Sequence, residues 1–170
     1  MSTAATNAAT PVDTKKSARR ALKFTCLGCV RGDLDRIEAA HRAGTLGTTG
    51  NWTPGQILDH CAITLETGLD GSDIDAGFLA RIMGRVVKRM LLKPGTMRPG
   101  FKLPKRMSAL EPRPGVTFEQ GMARIRRALA RIDAGERMTK PSPFLGPMTH
   151  QEWVALNANH CQLHFGFLTV

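Results

Sequence analysis

The chain has 170 residues, of which 42% are hydrophobic and 22% charged. That is the size of one domain with a substantial core, and it excludes a wholly disordered protein. No run approaches the roughly 20 apolar residues of a membrane span, and the opening MSTAATNAATPVDTKKSARR lacks the apolar segment of a secretion signal. The expected compartment is therefore the cytoplasm, with no membrane partner. A formal net charge of +10 favours anions. With no Tyr, only 5% aromatic residues, and no helix-turn-helix, zinc-finger or RNA-binding signature, nucleic acid is not the expected partner.

Residues 1–20 read as a flexible tail and residues 21–170 as a single helical domain. The first helix is expected from near Cys26 to Arg42, with Leu27, Val30, Leu34, Ile37 and His41 on its inner side and Gly44 ending it. Four cysteines without a secretion signal read as reduced thiols. Cys26 and Cys29 form a C-x-x-C, but neither a βαβ surround nor a second ligand pair accompanies it, so it reads as a helix start.

After the loop Gly44 to Gly50, the second helix opens with Thr53 as N-cap, Pro54 at the first helical position and Gln56 closing a capping box. His60 follows within two turns, at the border of an apolar band that includes Leu58, Cys61 and Leu65. A third helix is expected beyond Asp70-Gly71-Ser72. In it, Ile74, Phe78, Leu79, Ile82, Met83, Val86, Val87, Met90 and Leu91 form a broad apolar face.

From Lys93 to Pro114 the chain carries five prolines, and six basic residues against Glu111 alone. This is a long, basic, non-helical excursion. Two readings stay open: it covers the mouth of a site and favours an anionic substrate, or it is a solvated loop. On the first, Arg98 and Lys102 join Trp52 as candidates for a pocket rim.

Thr117 and Gln120 cap a fourth helix, with Met122, Ile125, Leu129 and Ile132 on one side and Arg124, Arg127 and Arg131 on another. Thr149 and Glu152 cap the last, THQEWVALNANHCQLHFGFLTV. Trp153, Leu156, Asn157, His160, Leu163, His164 and Phe167 recur there at steps of three and four, the mark of one helix face. His150 falls off that stripe and is expected at the surface. No strand alternation is visible, so the chain reads as all-α.

His160 and His164, at i and i+4, can reach one point in space. A buried imidazole without a partner costs about 1–3 kcal/mol, so something must satisfy both rings. A divalent metal would do so, and hydrogen bonds to Asn157, water or a neighbouring helix also would. If His60 converges with the pair, three imidazoles leave a fourth zinc position open, as in catalytic sites. Asn157 and Glu66 are then candidates to orient the rings.

The two end motifs, NWTPGQILDHCA and MTHQEWVALNANHCQLHFGFL, resemble the DinB/YfiT-like superfamily, and within it a branch of bacterial proteins that carry a domain of unknown function. The resemblance spans about Arg20 to Leu168. It implies a four-helix bundle with an additional short N-terminal helix and the Pro-rich basic loop. It also implies a divalent metal, zinc or nickel, held by His60, His160 and His164. Activity as a metal-dependent hydrolase or thiol S-transferase follows, on a small molecule, anionic or a low-molecular-weight thiol. The chain departs from many relatives in having Ser142 before Pro143 where a His is frequent. A homodimer is compatible with this reading. So is a bundle that binds a ligand or partner without turnover, and, further off, nucleic-acid binding through Arg124, Arg127 and Arg131.

Overall fold

A computed structural model describes residues 11–74, 76–100 and 105–170. Its α-helices are α1 (Leu27–Arg42), α2 (Pro54–Asp70), α3 (Phe78–Leu91), α4 (Phe118–Asp133) and α5 (His150–Phe165). Two short strands, β1 (Gly47–Thr48) and β2 (Leu168–Thr169), pair antiparallel, Gly47 with Thr169 and Thr48 with Leu168. The protein is mostly helical. The sheet corrects the all-α reading and shortens the last helix, which ends at Phe165 instead of running to Val170. Two-residue strands are too short for any alternation to register in sequence.

The three expected capping boxes all form. Thr53, Thr117 and Thr149 accept from the backbone N–H of Gln56, Gln120 and Glu152, whose side chains reach back to the N-cap N–H groups. α2 is the central element: it packs on α4 and α5, and α5 packs on α1. Leu34 and Ile37 of α1, Leu58 and Leu65 of α2, Ile125 and Leu129 of α4, and Trp153 and Phe165 of α5 share one core. Trp153 is 1% exposed and donates its indole N–H to the Lys140 carbonyl at 2.8 Å. Truncating such a residue to Ala typically costs about 3–5 kcal/mol. α2 and α4 meet backbone to backbone, since a Cβ on Gly121 would lie 2.4 Å from the Gly55 carbonyl oxygen.

α3 departs from the sequence reading in a different way. It is helical and amphipathic, but its apolar face looks outward: Leu79 is 77% exposed, Val86 72% and Met83 57%. The side that meets the rest of the protein is Gly84, where a Cβ would lie 1.9 Å from the Phe144 carbonyl oxygen. Lys88 lies on the same side, donating to the Pro147 carbonyl and pairing with Glu152 at 2.8 Å. Asn159 of α5 secures the end of α3, donating to the carbonyls of Leu91 and Lys93. Ile74 precedes α3 instead of belonging to it. Periodicity finds a stripe, but only the partner's shape decides which side of the helix it takes.

The basic excursion is not without structure, since a 3-10 helix, Lys105–Leu110, sits within it against α2. In the N-terminal segment, Val12 exchanges two hydrogen bonds with Asn51, and Arg20 forms a two-pronged ion pair with the buried Asp33. Residues 1–10 lie outside the described residues. His41, expected on the inner side of α1, is exposed, stacked on Phe118 with ring centroids 3.8 Å apart and hydrogen-bonded to Glu119.

Candidate metal centre

The second turn of α2 and the last two turns of α5 bring His60, His160 and His164 together. One ring nitrogen from each lies within 4.8 Å of the others. Ring centroids are 4.8 Å apart for His60 and His160, 4.6 Å for His60 and His164, and 4.5 Å for His160 and His164. Three histidines separated by a hundred positions in the chain thus form one cluster that can hold a metal ion. Trp52, just before the cap of α2, leans against His60 at 4.7 Å and stacks on His164 at 5.3 Å.

The second nitrogens of two rings have partners that fix their tautomers. His60 Nδ1 lies 2.6 Å from the Leu110 carbonyl oxygen, an acceptor only, so it carries the proton and leaves Nε2 with its lone pair free. Thr64, one turn after His60, donates its hydroxyl to the His60 carbonyl, leaving its oxygen to accept from His160 Nδ1 at 3.3 Å. Nε2 of His160 is then a lone-pair donor as well. Burial holds the rings neutral. It lowers the His60 pKa to about 4 despite the opposing pull of the Leu110 carbonyl and Asp59. It also lowers His160 and His164 well below the usual imidazole range, with further contributions from the neighbouring histidines. Neutral imidazoles are the form that binds metals.

This donor set suits a divalent ion. Ligand nitrogens around a tetrahedral zinc at about 2.0–2.1 Å stand about 3.3 Å from one another. The rings would therefore have to close by no more than about 1–2 Å, within the range of side-chain adjustment.

Beneath the cluster lies a charged node. Asp59 is fully buried and receives the backbone N–H and guanidinium of Arg113 and the guanidinium of Arg124, which also grips Glu66. Burial by itself would raise the Asp59 carboxyl, but the hydrogen bonds from Arg113 and Arg124 prevail and hold it at about 2. Arg113 stands three residues beyond Leu110, so the node also moors the segment whose carbonyl orients His60.

Several sequence expectations are corrected. Glu66 serves Arg124 and no imidazole. Asn157 is fully buried and donates to the Trp153 carbonyl, while its side-chain oxygen is buried without a hydrogen-bond partner among the described residues. Its place on the histidine stripe misled because it looks toward Trp153 and Met138. Arg98 lines a cavity of about 250 Å³ with Arg19, Arg20 and Gln162, not with the histidines, and Lys102 lies outside the described residues. His150 is half-buried and accepts the Met138 N–H at 3.1 Å. Cys61 and Cys161 are fully buried in the core.

Two functional contacts escaped the sequence reading. Thr64 had a signal, four residues from His60 on the same helix face. The Leu110 carbonyl had none, because every residue carries one.

The cations proposed for nucleic acid are largely engaged within the fold. Arg124 binds Asp59 and Glu66, and Arg131 binds Asp70 and Glu136. No helix of the described residues is long and apolar enough to cross a membrane.

No curated protein and no solved structure matches the chain. A family model described as "Protein of unknown function (DUF1569)" matches residues 16–170, which take in all the described helices and all three histidines. With nearly its whole length matched, the chain belongs to the DUF1569 family.

Proposed function

We propose that the protein is a metal-dependent enzyme of the DinB/YfiT-like type, with His60, His160 and His164 as ligands to a divalent ion, zinc or nickel. The observation that carries this reading is the convergence of three neutral imidazoles from α2 and α5, two of them with their outer nitrogens already engaged. A structural histidine needs partners for its ring nitrogens. Here the inner nitrogens of His60 and His160 are lone pairs, and two lone pairs do not hydrogen-bond to each other. A cation satisfies them.

A bound ion of this kind supplies Lewis acidity and a lowered pKa for water or a thiol in its open position. The chain's own residues do the rest. The Leu110 carbonyl and Thr64 fix the tautomers and orientation of His60 and His160, and Trp52 covers the rings of His60 and His164 from one side. His160 and His164 are half-buried as residues, while His60 is buried. The reaction class that fits is hydrolysis or thiol transfer on a small substrate in the cytoplasm, and the basic excursion favours an anionic one.

The test is metal analysis of the protein purified without an affinity tag, wild type beside His160→Ala. Wild type should carry about one equivalent of a divalent transition metal and the variant a small fraction of it. Equal content in the two would overturn the reading.

A further inference from the structure

α1 begins differently from the other capped helices. Where α2, α4 and α5 have Thr at the N-cap and Gln or Glu at the third helical position, α1 has Cys26 and Cys29. Cys26 makes no side-chain cap bond. A thiol is a weak hydrogen-bonding group, so helix stability does not account for cysteine at both positions.

The two sulfurs are 3.3 Å apart, with Cys26 exposed and Cys29 half-buried. The Cα atoms of residues at i and i+3 in a helical turn stand about 5 Å apart, within the Cα span of a disulfide. Cys29 sulfur takes the role that a carboxylate or amide oxygen takes in the other caps. Its backbone hydrogen bond at Thr25, with further bonds from Cys26, lowers the Cys29 thiol to about 7. The positive end of the helix acts in the same direction. The other two cysteines, Cys61 and Cys161, are fully buried, and burial pushes the Cys61 thiol up.

We propose that Cys26 and Cys29 are a reversible dithiol site that exchanges with low-molecular-weight disulfides and uses none of the three histidines. Cys29 thiolate attacks one sulfur of the disulfide RSSR, forming a Cys29–S–S–R bond and expelling RS⁻. Cys26 then loses its proton to solvent and attacks the Cys29 sulfur, and the second RS⁻ departs. Two protein thiols and one RSSR become one protein disulfide and two RSH, so two electrons and two protons leave the protein. The exposed Lys23, three residues before Cys26, favours anionic disulfides such as oxidised glutathione.

The test exposes reduced full-length protein to glutathione disulfide and maps the cysteine peptides by mass spectrometry after acid quench. Wild type should lose two hydrogens in the peptide that holds both residues. Cys26→Ser keeps a good N-cap residue and should accumulate one glutathionyl group on Cys29. At pH 7 a thiol with pKa about 7 is half ionised, against a few per cent for an ordinary one. Its lower intrinsic nucleophilicity removes part of that advantage. Adduct formation on Cys29 in Cys26→Ser should therefore run about fivefold faster at pH 7 than on a free cysteine peptide, the serine hydroxyl standing in for the Cys26 thiol as hydrogen-bond donor. The proposal is overturned if the pair stays reduced in excess glutathione disulfide with no reduced glutathione added. It is equally overturned if Cys29 in Cys26→Ser reacts no faster than the peptide thiol.

Discussion

Replacing Asp59 by Asn tests the charged node beneath the histidines. The side chain keeps its shape but loses its charge, leaving Arg113 and Arg124 without their shared buried partner. The carboxyl is held at about 2 in the folded protein against an ordinary 3.8, which corresponds to about 2 kcal/mol favouring the charged form. Removing one partner of a buried pair costs about 3–5 kcal/mol. Arg113 is 58% exposed along its side chain and regains water, so the lower figure applies. Asp59→Asn should lose about 2–3 kcal/mol near neutral pH, a fall in Tm of about 5–10 °C for a chain of this length. The sign with pH follows from a depressed folded-state pKa. The stabilisation is complete above the ordinary value and is lost as pH falls through about 4 toward 2. Urea titrations of both proteins at several pH values check this, because the difference between them isolates the one carboxylate. A gap at pH 2.5 as large as that at pH 7 would refute the electrostatic account, and no gap at any pH would refute the node itself.

Two further outcomes follow from the geometry. Thr64→Val removes the oxygen that accepts from His160 Nδ1; metal affinity measured by chelator competition should fall about 10–100-fold, with Thr64→Ser largely restoring it. Val86→Asp lies on the outward face of α3 and should change stability by no more than about 0.5 kcal/mol in denaturant titration; a loss above about 2 kcal/mol would show that face to be covered.

The legible features of this chain are those that neighbours in sequence create. A Thr at the N-cap and a Gln or Glu three residues on are a complete local interaction, so the starts of α2, α4 and α5 could be read directly. His160 and His164 share a face because helix geometry alone sets their spacing. His60 was suspected from its place on an apolar band and from the resemblance of its motif. Asn157 and Glu66 failed because sharing or neighbouring a face does not name a partner. Trp153, Met138 and Arg124 compete for those groups from elsewhere in the chain.

What the sequence determined by itself is therefore the set of helices, where most of them begin, and which side chains each can present together, all functions of short-range backbone geometry. Tertiary structure alone decided that α3 turns Gly84 and Lys88 inward and its apolar stripe outward. It also decided that the Leu110 carbonyl meets His60, and that residues 60, 160 and 164 converge. These outcomes depend on the fit between surfaces far apart in the chain, where backbone carbonyls and absent side chains count as much as the residues a pattern can display.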